Sequence, residues 1–121
     1  MCQSRRMDFG ASRQDHLAGQ DDIVVVQAYG ELDISTVPQL AALLIPAVAA
    51  GGRVILEGEG LSFVDSTGAS LLLKAHRDAI DAAGRLDLVL MAEAVIRVLN
   101  LAGLIDILNV HPSLEAARRA C

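Results

Sequence analysis

With 121 residues, 53% of them hydrophobic, the chain is long enough for one domain whose core needs no disulfide staples. A formal net charge of −5 and three aromatic residues, Phe9, Tyr29 and Phe63, exclude a basic, stacking surface for nucleic acid. No uncharged apolar run approaches the roughly 20 residues of a membrane span, and the longest, Leu40 to Gly52, contains Pro46 and ends in two glycines.

No charged leader with an apolar stretch and a cleavage site is recognisable, so the chain is expected to be cytoplasmic. Cys2, Cys121, His16, His76 and His111 are scattered without metal-ligand spacing, and neither a metal nor a cofactor is expected. Residues 1 to 6 are polar and basic and are expected to form a disordered tail, with the folded domain running from 7 to 121. Residues 7 to 13 read as a short first strand. Ile23 to Tyr29 is apolar and β-branched, a buried strand that ends in the turn Gly30-Glu31-Leu32-Asp33. Ser35 or Thr36 then caps a helix from about Val37-Pro38, where proline suits the first turn. Pro46 should kink or end that helix early, because its ring excludes a bond to Ala42, and Gly51-Gly52 closes it.

Arg53 to Glu57 is the next strand, Gly58-Glu59-Gly60 a loop, and Leu61 to Val64 leads into Asp65-Ser66. A helix from Thr67 to Ala83 is expected to bury Leu72, Leu73, Ala79 and Ile80, with Gly84 as its stop. Leu86 to Met91 reads as a buried strand, and Glu93 to Ala102 as a helix with Val95, Val98, Leu99 and Ala102 inward, ended by Gly103. Ile105 to Val110 is a last strand, and Ser113 caps a helix to about Ala120. Alternating strands and helices predict an α/β fold with a mainly parallel sheet and crossover helices. Sites in such sheets gather at the carboxyl ends of strands, and the segments Gly30 to Thr36 and Gly58 to Gly68 carry the polar residues there.

Ser66 stands where an apolar strand gives way to an alanine- and leucine-rich helix. Free backbone N–H groups and the positive end of the helix dipole meet at such a point. A serine there either caps the helix or offers its oxygen to a phosphate, which that helix end would hold. Taken alone, Asp65-Ser66-Thr67-Gly68 favours the cap. Catalysis is disfavoured, since Ser66 lacks the Gly-x-Ser-x-Gly elbow and no histidine holds a recognisable triad position. Gly58-x-Gly60 lacks the third glycine of a dinucleotide site, and there is no Walker lysine. A switch is chemically coherent: phosphate on Ser66 adds roughly −1.5 to −2 charge. Near Glu31, Asp33 and Asp65, if the two loops are neighbours, that charge would repel an acidic partner patch or spoil a buried contact.

Several segments taken together carry a family resemblance: Gly30-Glu31-Leu32-Asp33-Ile34-Ser35-Thr36; Val54 to Gly58; Gly60-Leu61-Ser62-Phe63-Val64-Asp65-Ser66-Thr67-Gly68 with Leu71-Leu72-Leu73; Val95 to Leu104; and Pro112 to Ala117. From about residue 23 to 118 the chain resembles the STAS domain of bacterial anti-sigma-factor antagonists. The resemblance implies an α/β class: a single STAS-type domain with a mixed, mostly parallel sheet of four to five strands flanked by about four helices. It also implies a non-enzymatic role in partner switching. The unphosphorylated protein would bind an anti-sigma factor that is a serine kinase, releasing a sigma factor. Phosphorylation of Ser66 would end the complex, and a serine/threonine phosphatase would restore it. Glu31, Asp33, Thr36, Asp65, Thr67 and Gly68 are then expected at the partner surface, the last three shaping the acceptor loop. A monomer or weak dimer is expected, with no nucleic-acid or membrane partner. Two positions depart from the family pattern: Glu57-Gly58 stands where Asp-Leu is usual, and Pro46 falls in the first helix. Two other STAS roles stay open at this point, a constitutive adaptor subunit of a lipid-transport ABC complex and a nucleotide-binding module.

Overall fold

The computed structural model describes residues 9–14 and 23–120, so the tail expected at residues 1–6 lies outside the described residues. Strands β1 (Gly10–Gln14), β2 (Ile23–Leu32), β3 (Arg53–Val64), β4 (Arg85–Leu90) and β5 (Asn109–His111) form one sheet in chain order. β1 runs antiparallel to β2, and the remaining neighbours are parallel. Helices α1 (Val37–Ala49), α2 (Ser66–Asp81), α3 (Glu93–Leu101) and α4 (Leu114–Arg119) make the crossovers and the C-terminal cover. The alternation predicts the mainly parallel sheet with crossover helices, and the mixed sheet with four helices is the one that the resemblance implies. Among the described residues no helix is long and apolar enough to cross a membrane.

Strand alternation divides the core between the two faces of the sheet. Val26, Ala28, Val54, Leu56, Leu86 and Leu88 join the large cluster shared with α1, α2 and α3. Ile23, Val25, Ile55 and Val89 form a smaller cluster with Ala117 of α4. In α1 the buried stripe is Leu40, Leu44, Ala47 and Val48, one face of a helix. α1 continues through Pro46 to Ala49, contrary to the early break expected there. Ala42 and Pro46 both lie on the exposed side, where water can satisfy the carbonyl that proline leaves without a donor.

Three other elements differ from their expected course. Gly58-Glu59-Gly60 is not a loop, because β3 runs unbroken from Arg53 to Val64 beside β2. Twelve residues of β3 lie against ten of β2, and the excess is taken up by register shifts opposite Gln27–Tyr29 and Gly30–Glu31. Glycine suits such bulges. α2 buries Gly68, Leu71, Leu72, Ala75 and Ala79, while Leu73 is half-buried and Ile80 is 58% exposed, so its inward face is rotated from the expected one. Ala102, expected inward at the end of α3, is exposed. Residues 104–108 make a turn closed by Leu108 N–H donating to the Leu104 carbonyl (2.9 Å), with both leucines buried, and β5 begins only at Asn109. The α2 stop also differs in detail. Ala83 adopts the left-handed conformation (φ 61°), whereas Gly84 is required because a Cβ there would sit 2.3 Å from the Gly52 carbonyl oxygen.

At the amino end of the parallel strands, one carboxylate joins three elements. Asp87 on β4 is fully buried. Arg85 grips it with a fork, Nε to Oδ2 at 2.9 Å and Nη2 to Oδ1 at 2.9 Å. His111 Nε2 lies 2.8 Å from Oδ1, and Arg53 Nη2 lies 3.6 Å from Oδ2. Arg53 also donates to the carbonyls of Ala117 (2.8 Å) and Arg118 (3.2 Å) at the C-terminal end of α4. Burial pushes the Asp87 carboxyl up, but the bonds and charges of Arg85 and His111 outweigh it and hold it below the usual aspartate range.

A folded-state pKa below the unfolded value near 3.9 means that Asp87 adds stability above about pH 4, which is lost as pH falls through the folded value. Asp87→Asn should therefore lower unfolding free energy by about 3 kcal/mol at neutral pH in urea titrations, at the low end for a broken buried pair because the arginines reach water. The difference between variant and wild type should vanish in acid. Ala83→Gly should raise stability by about 1 kcal/mol in the same titration, by relieving the left-handed alanine.

Candidate functional site

The parallel strands β2, β3 and β4 end on one side of the sheet, and there the first turn of α2 meets the end of β2. The Asp65 N–H donates to the Leu32 carbonyl (3.1 Å). A Cβ on Gly68 would lie 2.8 Å from that same Leu32 oxygen and 2.9 Å from the Leu32 side chain. Glycine is therefore what allows α2 to start this close to β2. The contact makes neighbours of the segments Glu31–Thr36 and Asp65–Gly68, as the sequence-based switch requires.

Each segment has its own internal wiring. Asp33 Oδ1 accepts from the Ser35 N–H (2.9 Å), the Ser35 hydroxyl (2.7 Å) and the Thr36 N–H (3.2 Å). The Ser35 hydroxyl bond, helped by those two N–H groups and against the effect of burial, holds the Asp33 carboxyl below the usual aspartate range. Its Oδ2 has no hydrogen-bond partner among the described residues. The Thr36 hydroxyl donates to the Glu31 carbonyl (2.7 Å) and accepts from the Asp33 N–H (2.9 Å). Thr36 occupies the cap position of α1, but its side chain makes no capping bond, and the turn is held by Asp33 instead. This corrects the expected Ser35 or Thr36 side-chain cap: a carboxylate reaching two and three residues ahead outcompetes both hydroxyls.

Asp65 caps α2. Its Oδ1 accepts from the Gly68 N–H (2.9 Å), and its carbonyl accepts from the Ala69 N–H (2.9 Å). Ser66, the first residue of the helix, is exposed, and its hydroxyl has no hydrogen-bond partner among the described residues. The alternative left open by Asp-Ser-Thr-Gly is thus resolved in part, since the cap is the aspartate and the serine hydroxyl is uncommitted. Thr67 is half-exposed and Glu31 half-buried. Ser113 is the one serine whose expected cap is present, accepting from Ala116 N–H (3.1 Å).

Sequence reasoning passed over several exposed apolar side chains. Ile34 (74% exposed), Phe63 (40%), Met91 (57%) and Leu101 (82%) are large apolar side chains left exposed. Ile34 and Phe63 were legible as aliphatic and aromatic residues inside polar loop segments, but Leu101 was hidden by the inward periodicity of its own helix. A groove of about 480 Å³ opens between α2 and α3, with Ser66, Ala69, Ser70 and Leu73 along one wall. Among the described residues no group of three or more His, Cys, Asp or Glu side chains is arranged to hold a metal.

Residues 16–117 match the family model described as STAS domain. The chain belongs to the STAS domain family. An anti-sigma-B factor antagonist of Staphylococcus aureus is 30% identical to this STAS protein over 97 residues, covering 79% of the chain and 90% of the relative. The crystal structure of an anti-sigma factor antagonist from Mycobacterium paratuberculosis superposes with a TM-score of 0.80 at 24% identity, over 96% of both chains, which shows a shared fold. The Bacillus cell fate determinant SpoIIAA in its phosphorylated form has a TM-score of 0.62 at 28% identity, over 89% of this chain and 98% of that one. These names describe regulatory binding proteins and not enzymes.

Gly68→Ala should cost about 1 to 3 kcal/mol in thermal or urea denaturation, the usual cost of overpacking, because the new methyl meets a backbone oxygen. Ser66→Ala, which removes an exposed hydroxyl with no partner, should leave the same curve within about 0.5 kcal/mol.

Proposed function

We propose that this STAS protein is an anti-sigma-factor antagonist. It binds an anti-sigma factor of the serine-kinase type and so releases a sigma factor, and phosphorylation of Ser66 ends the complex until a serine/threonine phosphatase removes the phosphate. The observation that carries this reading is the division of labour at the start of α2. Asp65 does the capping, which leaves the Ser66 hydroxyl exposed and chemically idle at a helix N-terminus. A helix needing a cap has no use for that second oxygen, whereas a kinase needs an accessible one.

The site also suits the product. The N–H groups of Ser66 and Thr67 lack intrahelical partners, and the dipole favours a dianion there. Glu31, Thr67 and the free oxygen of Asp33 form the surface offered to the partner, with Asp65, Thr36 and Gly68 holding that surface in shape. Phosphate adds roughly −1.5 to −2 charge beside these carboxylates. A coupling of about 1 to 3 kcal/mol then corresponds to a 5- to 150-fold loss of affinity without any change of fold. The anti-sigma-B factor antagonist of Staphylococcus aureus supports the antagonist role, and the Bacillus neighbour, solved in a phosphorylated form, supports a phosphorylated state.

The test is intact-mass and peptide mass spectrometry after incubation with ATP and an extract of the native cells. One phosphate on Ser66, absent from Ser66→Ala, is the expected result. Against the purified kinase, Ser66→Ala should bind as the unmodified protein does and Ser66→Asp at least fivefold more weakly. An unmodified Ser66 alongside a phosphorylated control substrate would move the assignment to a constitutive adaptor.

A further inference from the structure

The face of the sheet that carries Ile23, Val25, Ile55 and Val89 has a thin cover. Among the described residues, only α4 supplies helical side chains to that cluster, namely Ala117 and the half-buried Leu114. Where α1 buries Leu40, Leu44, Ala47 and Val48, α4 buries Ala117 alone. Six residues are also too few for a helix to persist in water once it leaves its support. Apolar packing and helix formation therefore hold α4 weakly.

What remains is Arg53, and its guanidinium is shared. Nη2 and Nη1 donate to the carbonyls of Ala117 (2.8 Å) and Arg118 (3.2 Å) at the C-terminal end of α4. Its approach to Asp87 is the longest of three, at 3.6 Å, against 2.9 Å for Arg85 and 2.8 Å for His111. Arg85 and His111 therefore keep the buried carboxylate paired when Arg53 moves. Arg53 Nε is buried and has no hydrogen-bond partner among the described residues. The closed arrangement carries that desolvated donor as a standing cost, which water relieves once α4 lifts. We infer that α4 is a strap, which opens as a unit about the Pro112–Ser113 connection while the sheet stays folded, with Arg53 as its catch. α4 packs on β3, β4 and β5, so opening bares the aliphatic strip around Ile55 and Val89. The other three helices pack on the far side of the sheet, and their contacts persist in the open form. The domain thus holds in reserve an apolar surface that its closed form conceals.

Thiol labelling of the full chain reads the opening directly. With Cys2 and Cys121 replaced by serine, Val89→Cys places a probe under α4, and Val54→Cys places the same probe under the other helices. Both valines are buried. Below the unfolding transition, Val89→Cys should react roughly tenfold faster than Val54→Cys, or more, as a locally opening unit does. Its rate should hardly rise with urea there, because opening α4 exposes little surface, whereas the Val54→Cys rate should climb steeply. Arg53→Met, which keeps an apolar stem and removes the donors, should speed Val89→Cys labelling roughly tenfold, the effect of losing hydrogen bonds to a charged group. Equal rates for the two cysteines with the same steep urea dependence would overturn the strap, since α4 would then open only with the whole domain. A Val89→Cys rate unchanged by Arg53→Met would overturn Arg53 as the catch. Should a cysteine variant fail to fold, amide exchange on the unaltered chain makes the same comparison. The Ala117 N–H, bonded to the Ser113 carbonyl (3.1 Å), should exchange roughly tenfold faster than the amides in the middle of β3, and matched protection would overturn the strap.

Discussion

The carboxyl end of this sheet depends on one close approach, that of the first turn of α2 to the Leu32 carbonyl at the end of β2. Gly68 permits it and the Asp65 N–H bonds it. With a methyl group at position 68 the helix would have to move away, and the segments bearing Asp33 and Ser66 would separate. Because the approach is made by backbone, it sets where Ser66 sits without using any functional side chain. Asp65 serves both requirements at once: its N–H ties α2 to β2, and its carboxylate caps the helix. The serine next to it is thereby spared any structural task.

The two ends of the parallel strands are built on different physics. At the amino end, a fully buried carboxylate is neutralised by Arg85, His111 and Arg53, and Gly84 meets Gly52 backbone to backbone. Those contacts are costly to disturb and serve cohesion. At the carboxyl end, short polar bonds shape the turns, while Ile34 and Met91 stand exposed among the described residues. The cohesive contacts are thus kept away from the exposed ones, and a change at Ser66 would not touch the contacts that hold the domain together.

Much of this was legible in the sequence because it is written in local signals. The alternation of β-branched strands with helical periodicity predicts the layers, and Asp-Ser-Thr-Gly marks the helix start. Where the reading failed, a neighbour in space decided the outcome. Gly58-Glu59-Gly60 has the composition of a loop, but β2 lies alongside and pairs through it. Pro46 should break a helix, but its missing bond falls on the wet side of α1. The inward face of α2 was misplaced because Leu71, Leu72 and Leu73 are consecutive, and the rotation follows from contacts in space, among them the close approach of Gly68 to Leu32. Asp87 was invisible as a site. Its partners Arg53 and His111 come from the strands on either side of β4, and no sequence spacing announces that they meet.

Arg53 has a geometric consequence for how the domain can be joined to other things. Its guanidinium holds the last carbonyls of α4 beside the first residues of β3 and β4. α4 has six residues, too few to hold its shape alone, so its position is dictated by that grip. The backbone therefore leaves the domain at the pole opposite Ser66. A tether, surface or second domain attached beyond residue 120 would pull on the cohesive end of the sheet and leave the end that carries Ser66 unobstructed.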